Sequence, residues 1–444
     1  MQILRLFVKI HRRRRFLLLS TDYWLLATKS VIITAMFDIF EFFKGRHLTT
    51  RLILLACTAG LVAIGVMMIY ASGNPANSEM RQFAGYSSLW KKQCLFAAAG
   101  FLGFIIINSF SYKNLGTMSF AIYWATIALL FWLVLDKFID MPFVNAKHGS
   151  RCWFVIGSMQ FQPSEFFKFA YIVALAWHLR YRSNYRNLTS LIPPFILTLF
   201  PMFLIYLEPD LGTVMLMMPV LLSMLFIAGA KVKHLLVIIL LAAMAFPVLW
   251  LGMEDYQRMR VSSVLLQNKI DGGPSWLRTK VEKHPALASL LGVNPERLRN
   301  WDIGAGYQLS RSKLAIASGG FAGQGYRTGP FIKYKFLPDR HNDFIFALVC
   351  HQWGFAGAVL LLCLYAMLIA CSIEIAASSF DTFGSYIAAG FAVLFSIQIL
   401  INISMTIGLI PITGLTLPFI SYGGSSIMTN IMSIGLINSI GRSR

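Results

Sequence analysis

Apolar runs about twenty residues long recur along most of this chain, set apart by short polar stretches. A helix needs roughly twenty consecutive apolar residues to cross a bilayer, so each run reads as a transmembrane span. The runs fall near 51–71, 93–111, 117–136, 164–180, 189–207, 210–230, 234–252, 344–372, 384–410 and 418–440. The pattern therefore predicts an all-α polytopic membrane protein of about ten transmembrane helices, with one large loop between spans seven and eight. Its divisions are a basic N-terminal arm at 1–50, helices 1–7 over 51–252, the loop over 253–342, and helices 8–10 over 343–444. The arm begins MQILRLFVKIHRRRRFLLL, but Asp22, Lys29 and Asp38 interrupt the apolar run and no small-residue cleavage site follows. A cytoplasmic arm with a helix on the membrane surface fits that better than a signal peptide. A further span around 16–40 is the alternative.

Composition agrees with the pattern: 57% of residues are hydrophobic, 13% are charged, and the mean hydropathy is +0.64. Such a chain is too apolar for a soluble multidomain enzyme. The net charge of +20 sits beside apolar spans, as orientation by the positive-inside rule requires. Arg12 to Arg15, Lys44, Arg46 and Arg51 precede the first span, Arg180, Arg182 and Arg186 follow the fourth, and Lys231 and Lys233 follow the sixth. Arg442 and Arg444 close the chain. An even span count puts all of these on one face, read as cytoplasmic together with both termini, and places the large loop outside. Lys91, Lys92, Glu374 and Asp381 run against that trend. No basic groove motif points to nucleic acid. The six cysteines show no CxxC or CxxH spacing, so neither a disulfide framework nor a zinc site is indicated.

Candidate chemistry lies where charge meets the apolar frame. In LPDRHNDF, Asp339, Arg340, His341 and Asp343 fall just before a long apolar segment. A carboxylate at such a mouth loses part of its water, which moves it toward base strength. Glu165 and Lys168 in FQPSEFFK are spaced i,i+3 on one helix face. They form either a structural ion pair or a direct partner for a phosphate. Arg151 and Trp153 in GSRCWF suit an interfacial anchor or a diphosphate headgroup. Asp210 in EPDLGT reads as a helix cap. GQGY lacks the spacing of a nucleotide loop, and no GxSxG or HExxH is present. Short amphipathic helices in the first half of the large loop would lie on the membrane surface.

FQPSEFFK, EPDLGT, GYQLSRSKLAIASGGFAGQG, FLPDRHNDFIFA and NISMTIGLIPITGLTLPFISYGGSS, taken in order, resemble the SEDS family of RodA, FtsW and SpoVE. The resemblance covers roughly 50–440 and implies ten spans in a bacterial plasma (inner) membrane. It also implies a peptidoglycan glycosyltransferase that polymerises lipid II, the undecaprenyl-diphosphate-linked precursor, beside a class B penicillin-binding protein transpeptidase. The family's essential loop aspartate falls on Asp343, its membrane Glu–Lys pair on Glu165 and Lys168, and its outer-loop Arg and Trp on Arg151 and Trp153. Arg340 and His341 join these as substrate-binding candidates. Asn342, Asp339, Lys335 and the His351-Gln352 pair depart from the family pattern. Arg340 before His341 looks more like RodA, in elongation, than FtsW, in division. A divalent cation, Mg or Mn, would help neutralise a departing diphosphate, although no ligand cluster marks a metal site. A lipid II flippase and a non-catalytic scaffold are the competing classes.

Overall fold

The computed structural model describes residues 47–76, 88–136, 139, 142, 144, 152–157, 159–180, 185, 187–253, 255–267, 275–291, 306–334, 336–337 and 340–443. Long helices stand at every predicted span: α1 (Leu48–Gly73), α2 (Leu89–Ser109), α3 (Tyr112–Leu135), α4 (Pro163–Arg180), α5 (Ile192–Leu207), α6 (Leu211–Ile227) and α7 (Val232–Leu251). After the 253–342 segment come α13 (Ile345–Ser378), α14 (Thr382–Ile407) and α15 (Gly424–Arg442). Among the described residues, six helices are long and apolar enough to cross a membrane: α1, α2, α3, α5 with the turn before it, α13 and α14. The protein is thus a mostly helical, polytopic membrane protein. In hydrocarbon a backbone must satisfy its own polar groups, which is why such apolar sequence takes helical form.

Helix α4 is the axis of the bundle. It is buried along almost its whole length, among α3, α14 and α15. Pro163 suits its first turn, where a missing N–H costs nothing. A hairpin that the sequence pattern did not reveal leads into it: β1 (Phe154–Ile156) pairs antiparallel with β2 (Met159–Phe161), placing Phe154 opposite Phe161. Helix α15 packs most extensively on α2, and α13 lies between α1 and α14.

The described parts of the large loop are largely helical. They contain α8 (Asp255–Leu265), α9 (Trp276–Lys283), α10 (Pro285–Leu290), α11 (Tyr307–Gly319) and α12 (Pro330–Lys333). Helix α11 lies against α13. Two features depart from the simple pattern of spans. The last helix starts only at Gly424, because 409–423 runs as a non-helical segment inside the protein. And α13 is broken at Gly354, whose φ is 65°.

That break is repaired by the glycine-rich stretch after α11. The N–H groups of Phe355 and Ala356 donate to the carbonyls of Gly320 (2.8 Å) and Phe321 (3.1 Å). In return, Gln324 and Gly325 donate to the carbonyls of His351 (2.9 Å) and Gln352 (3.0 Å). A Cβ on residue 354 would stand 2.4 Å from Gly323 N and Phe321 O. Gly354→Ala should therefore lower the thermal midpoint in detergent; the backbone conformation alone costs about 1–3 kcal/mol, and the close approach adds to it. An unchanged midpoint would show that the break is not what holds the loop.

Candidate active site

Three chain segments meet at one end of the bundle: the start of α4, the start of α6, and the turn before α13. Asp210 ties the first two. It caps α6 by accepting from Thr213 N (3.1 Å), as its sequence position predicted, and its other oxygen accepts from the Thr213 (2.9 Å) and Ser164 (2.9 Å) hydroxyls. The Gln162 amide donates to the same oxygen at 3.3 Å. The turn 341–343 is clamped through its carbonyls. Tyr422 N donates to His341 O (2.8 Å), the Ser421 hydroxyl to Asn342 O (2.7 Å), and the Asn402 amide to Asp343 O (3.1 Å).

These clamps leave the Asp343 side chain half-buried on a cavity of about 110 Å³. Trp153, Glu165, Asp210, Asn342, Thr416, Tyr422, Ser425 and Ser426 are among the other residues that line it. Carboxylates, amides, hydroxyls and one indole make a wall suited to a polyhydroxylated ligand. The volume is below the roughly 300–1,000 Å³ of pockets that enclose a whole small molecule, so the cavity takes one end of a ligand. Gly414 adjoins the carboxylate, and its φ of 76° is a backbone conformation that favours glycine.

Glu165 and Lys168 form a buried pair on α4, 5% and 4% exposed, with Nζ to Oε1 at 2.8 Å. Glu165 reaches the cavity wall, and Lys168 sits one turn along the helix beside it. Among the described residues no group of three His, Cys, Asp or Glu side chains is gathered so as to hold a metal ion.

The other expected site residues are placed differently. Arg340 does not line the cavity. It is 3% exposed, and its guanidinium donates to the carbonyls of Phe331, Ile332 and Ser72, so it joins α12 and the end of α1 to the turn. Expected as a substrate-binding residue, Arg340 has these donors on backbone carbonyls in this structure. His341 is 6% exposed, with its ring centre 5.8 Å from that of Tyr422. His351 and Gln352 face the glycine-rich stretch: His351 Nδ1 lies 2.7 Å from the Ser318 hydroxyl, and Gln352 Oε1 accepts from Arg327 N at 2.8 Å. Arg151, Lys335, Asp339 and residues 1–46 lie outside the described residues. Sequence reasoning assigned no role to Asn342, Gly414, Thr416, Tyr422, Ser425 or Ser426. All but Asn342 belong to 402–426, the segment that carried the resemblance most strongly.

The model of the FtsW, RodA and SpoVE family of cell cycle proteins matches this chain over residues 51–276 and 288–444. The chain belongs to the SEDS family. Stage V sporulation protein E of Bacillus subtilis (strain 168) is 32% identical over 400 residues, which cover 88% of this chain and 96% of that protein. Peptidoglycan glycosyltransferase RodA of Treponema pallidum (strain Nichols) is 30% identical over 432 residues, covering 87% and 96%. Among solved structures, a chain of a peptidoglycan synthase complex that coordinates polymerization and crosslinking matches with a TM-score of 0.65. It is 27% identical, with 88% of this chain and 96% of that one covered. Thermus thermophilus RodA shares the fold, with a TM-score of 0.58 at 24% identity over 88% of this chain and 95% of that one.

The buried pair gives this SEDS site a testable energetic signature. Lys168→Ala strands the Glu165 carboxylate and should cost about 3–5 kcal/mol of stability. The double replacement Glu165→Gln/Lys168→Met removes both charges and should recover much of that loss. Thermal midpoints of the purified variants compare the two; equal losses would mean the pair does not act as a unit.

Proposed function

We propose that this SEDS protein is a peptidoglycan glycosyltransferase that polymerises lipid II into glycan strands. The observation that carries the reading is the Asp343 carboxylate: its backbone is clamped by Asn402 and its neighbours, and its side chain is presented to a hydroxyl-lined cavity. Relatives named peptidoglycan glycosyltransferase support it. Chain growth requires the 4-hydroxyl of one lipid-linked sugar to attack the anomeric carbon of another, with inversion. The C–O bond to the lipid diphosphate breaks, and the hydroxyl proton must leave as the new bond forms. Asp343 takes that proton as general base. Trp153 and the cavity's hydroxyl and amide groups hold the sugar that bears the hydroxyl. Glu165, fixed by Lys168, completes the wall.

Stabilising the departing diphosphate falls to Arg151, with Lys168 adding positive charge. A divalent cation, Mg or Mn, would share that work when bound. Arg340 acts at one remove by holding the turn that carries Asp343, and His341 by packing on Tyr422. In this reading the chain crosses a bacterial plasma membrane ten times with both termini cytoplasmic. The end that carries Asp343 and the 253–342 segment then faces outward, where lipid II is consumed. The partner is a class B penicillin-binding protein, a pairing supported by the likeness to a synthase complex. A role in elongation, as for RodA, rests on Arg340 preceding His341; division is the alternative role.

Asp343→Ala should lower lipid II polymerisation in a purified complex with its transpeptidase by roughly 10²–10⁴-fold, the usual contribution of a general base. Complex formation on a sizing column should be unchanged. Full activity of that variant would remove Asp343 from the chemistry. A flippase needs no base at this position, so glycan strands made in detergent, with no closed vesicle present, would set that class aside. Their absence in the partner's presence would favour it.

A further inference from the structure

The family's model passes over residues 277–287, yet this chain folds them onto a small core of its own. Ser275 caps α9 by accepting from Arg278 N at 3.2 Å. Val281 packs with Leu266 and Ala288, at 1%, 0% and 0% exposed. Arg278 lies 3.5 Å from Glu282, one turn along. The buried face of α9 is therefore accounted for.

The opposite face is not. Trp276, Lys280 and Lys283 are all exposed, Trp276 by 70%. Their i, i+4, i+7 spacing puts them on one stripe, with the indole at its N-terminal end and two ammonium groups following it. A large exposed aromatic followed by two lysines on the same face has the composition of an interfacial contact: ring among headgroups, ammonium groups on phosphates.

The height of the helix agrees with that chemistry. Gln267, between α8 and α9, donates to Gly408 O at 3.0 Å and accepts from Lys313 Nζ at 2.9 Å. Gly408 caps α14, and the flanking Ile407 and Leu409 are 38% and 68% exposed, as residues at the edge of the hydrocarbon would be. The module is thus tethered where the apolar belt ends. We propose that Trp276, Lys280 and Lys283 dock α9 on an anionic phospholipid surface at the Asp343 end of the bundle. Residues 277–287 are then a lipid-contact element added to the SEDS scaffold. This inference does not depend on the reaction assigned above.

Hydrogen–deuterium exchange of the full chain tests it, in nanodiscs of phosphatidylcholine and of phosphatidylglycerol. The α9 amides should exchange roughly thirtyfold more slowly in phosphatidylglycerol, since each lysine near an anionic surface adds about 1 kcal/mol. The double variant Lys280→Glu/Lys283→Glu should lose that difference while the α14 amides stay as protected as before. Equal exchange in the two lipids overturns the proposal, and so does a lipid difference that survives in the variant. Protection that appears only when a transpeptidase ectodomain is added assigns the stripe to a protein instead, and overturns it as well.

Discussion

A non-helical backbone enclosed in a membrane bundle must find a partner for each polar group it buries, or the bundle does not close. The stretch 409–423 answers that demand with side chains from three helices. Gln93 on α2 brackets it, donating to Ser421 O at 3.1 Å and accepting from Gly423 N at 3.3 Å. Gln398 on α14 donates to Thr416 O at 2.8 Å, Asn402 to Leu415 O at 2.6 Å, and Tyr365 on α13 to Pro418 O. The Ser421 hydroxyl closes the segment on itself by accepting from Leu417 N at 2.8 Å. Asn402 and Ser421 also hold the carbonyls of Asp343 and Asn342. The groups that make the buried segment affordable are the same ones that fix the turn bearing the acid.

Around that segment one kind of contact recurs: a polar side chain near a helix end reaching backbone or another helix end. The Ser425 hydroxyl accepts from Gln162 N at 2.8 Å and so fastens the start of α15 to the start of α4. Asp210 fastens α4 to α6. At the far end of the bundle, Arg51 donates to Asn438 (3.0 Å), and Asn438 to Asn108 (2.7 Å), joining α1, α15 and α2. Apolar packing fills the space between these fastenings, and geometry at the cavity is set by them.

Much of this was legible in the sequence, for a definite reason. Span positions follow from run length alone, so the predicted spans coincide with helices. Asp343 and Glu165 meet because each lies at the mouth of a helix at the same end of the bundle, and Trp153 joins them from the start of the β1–β2 hairpin. Asp210 was recognisable as a cap, because a cap is a local matter of three residues. What local sequence cannot carry is the target of a long side chain: the carbonyls that take the Arg340 guanidinium come from 331, 332 and 72. The break at Gly354 was hidden for the same reason, since HQWGFAG continues an apolar run and the groups that complete it lie some thirty residues earlier. The hairpin before α4 was too short to leave a pattern.

The interrupted helix also ties the glycine-rich stretch to the angle of α13. Beyond Gly354, α13 turns Phe355, Leu360 and Leu362 toward lipid, while the portion before it, Ile345–Trp353, adjoins the turn of Asp343. Hydrogen bonds from both portions converge on Gly320, Phe321, Gln324 and Gly325. Any change in the angle between the two portions would have to stretch these bonds, so the loop and the helix keep that angle together.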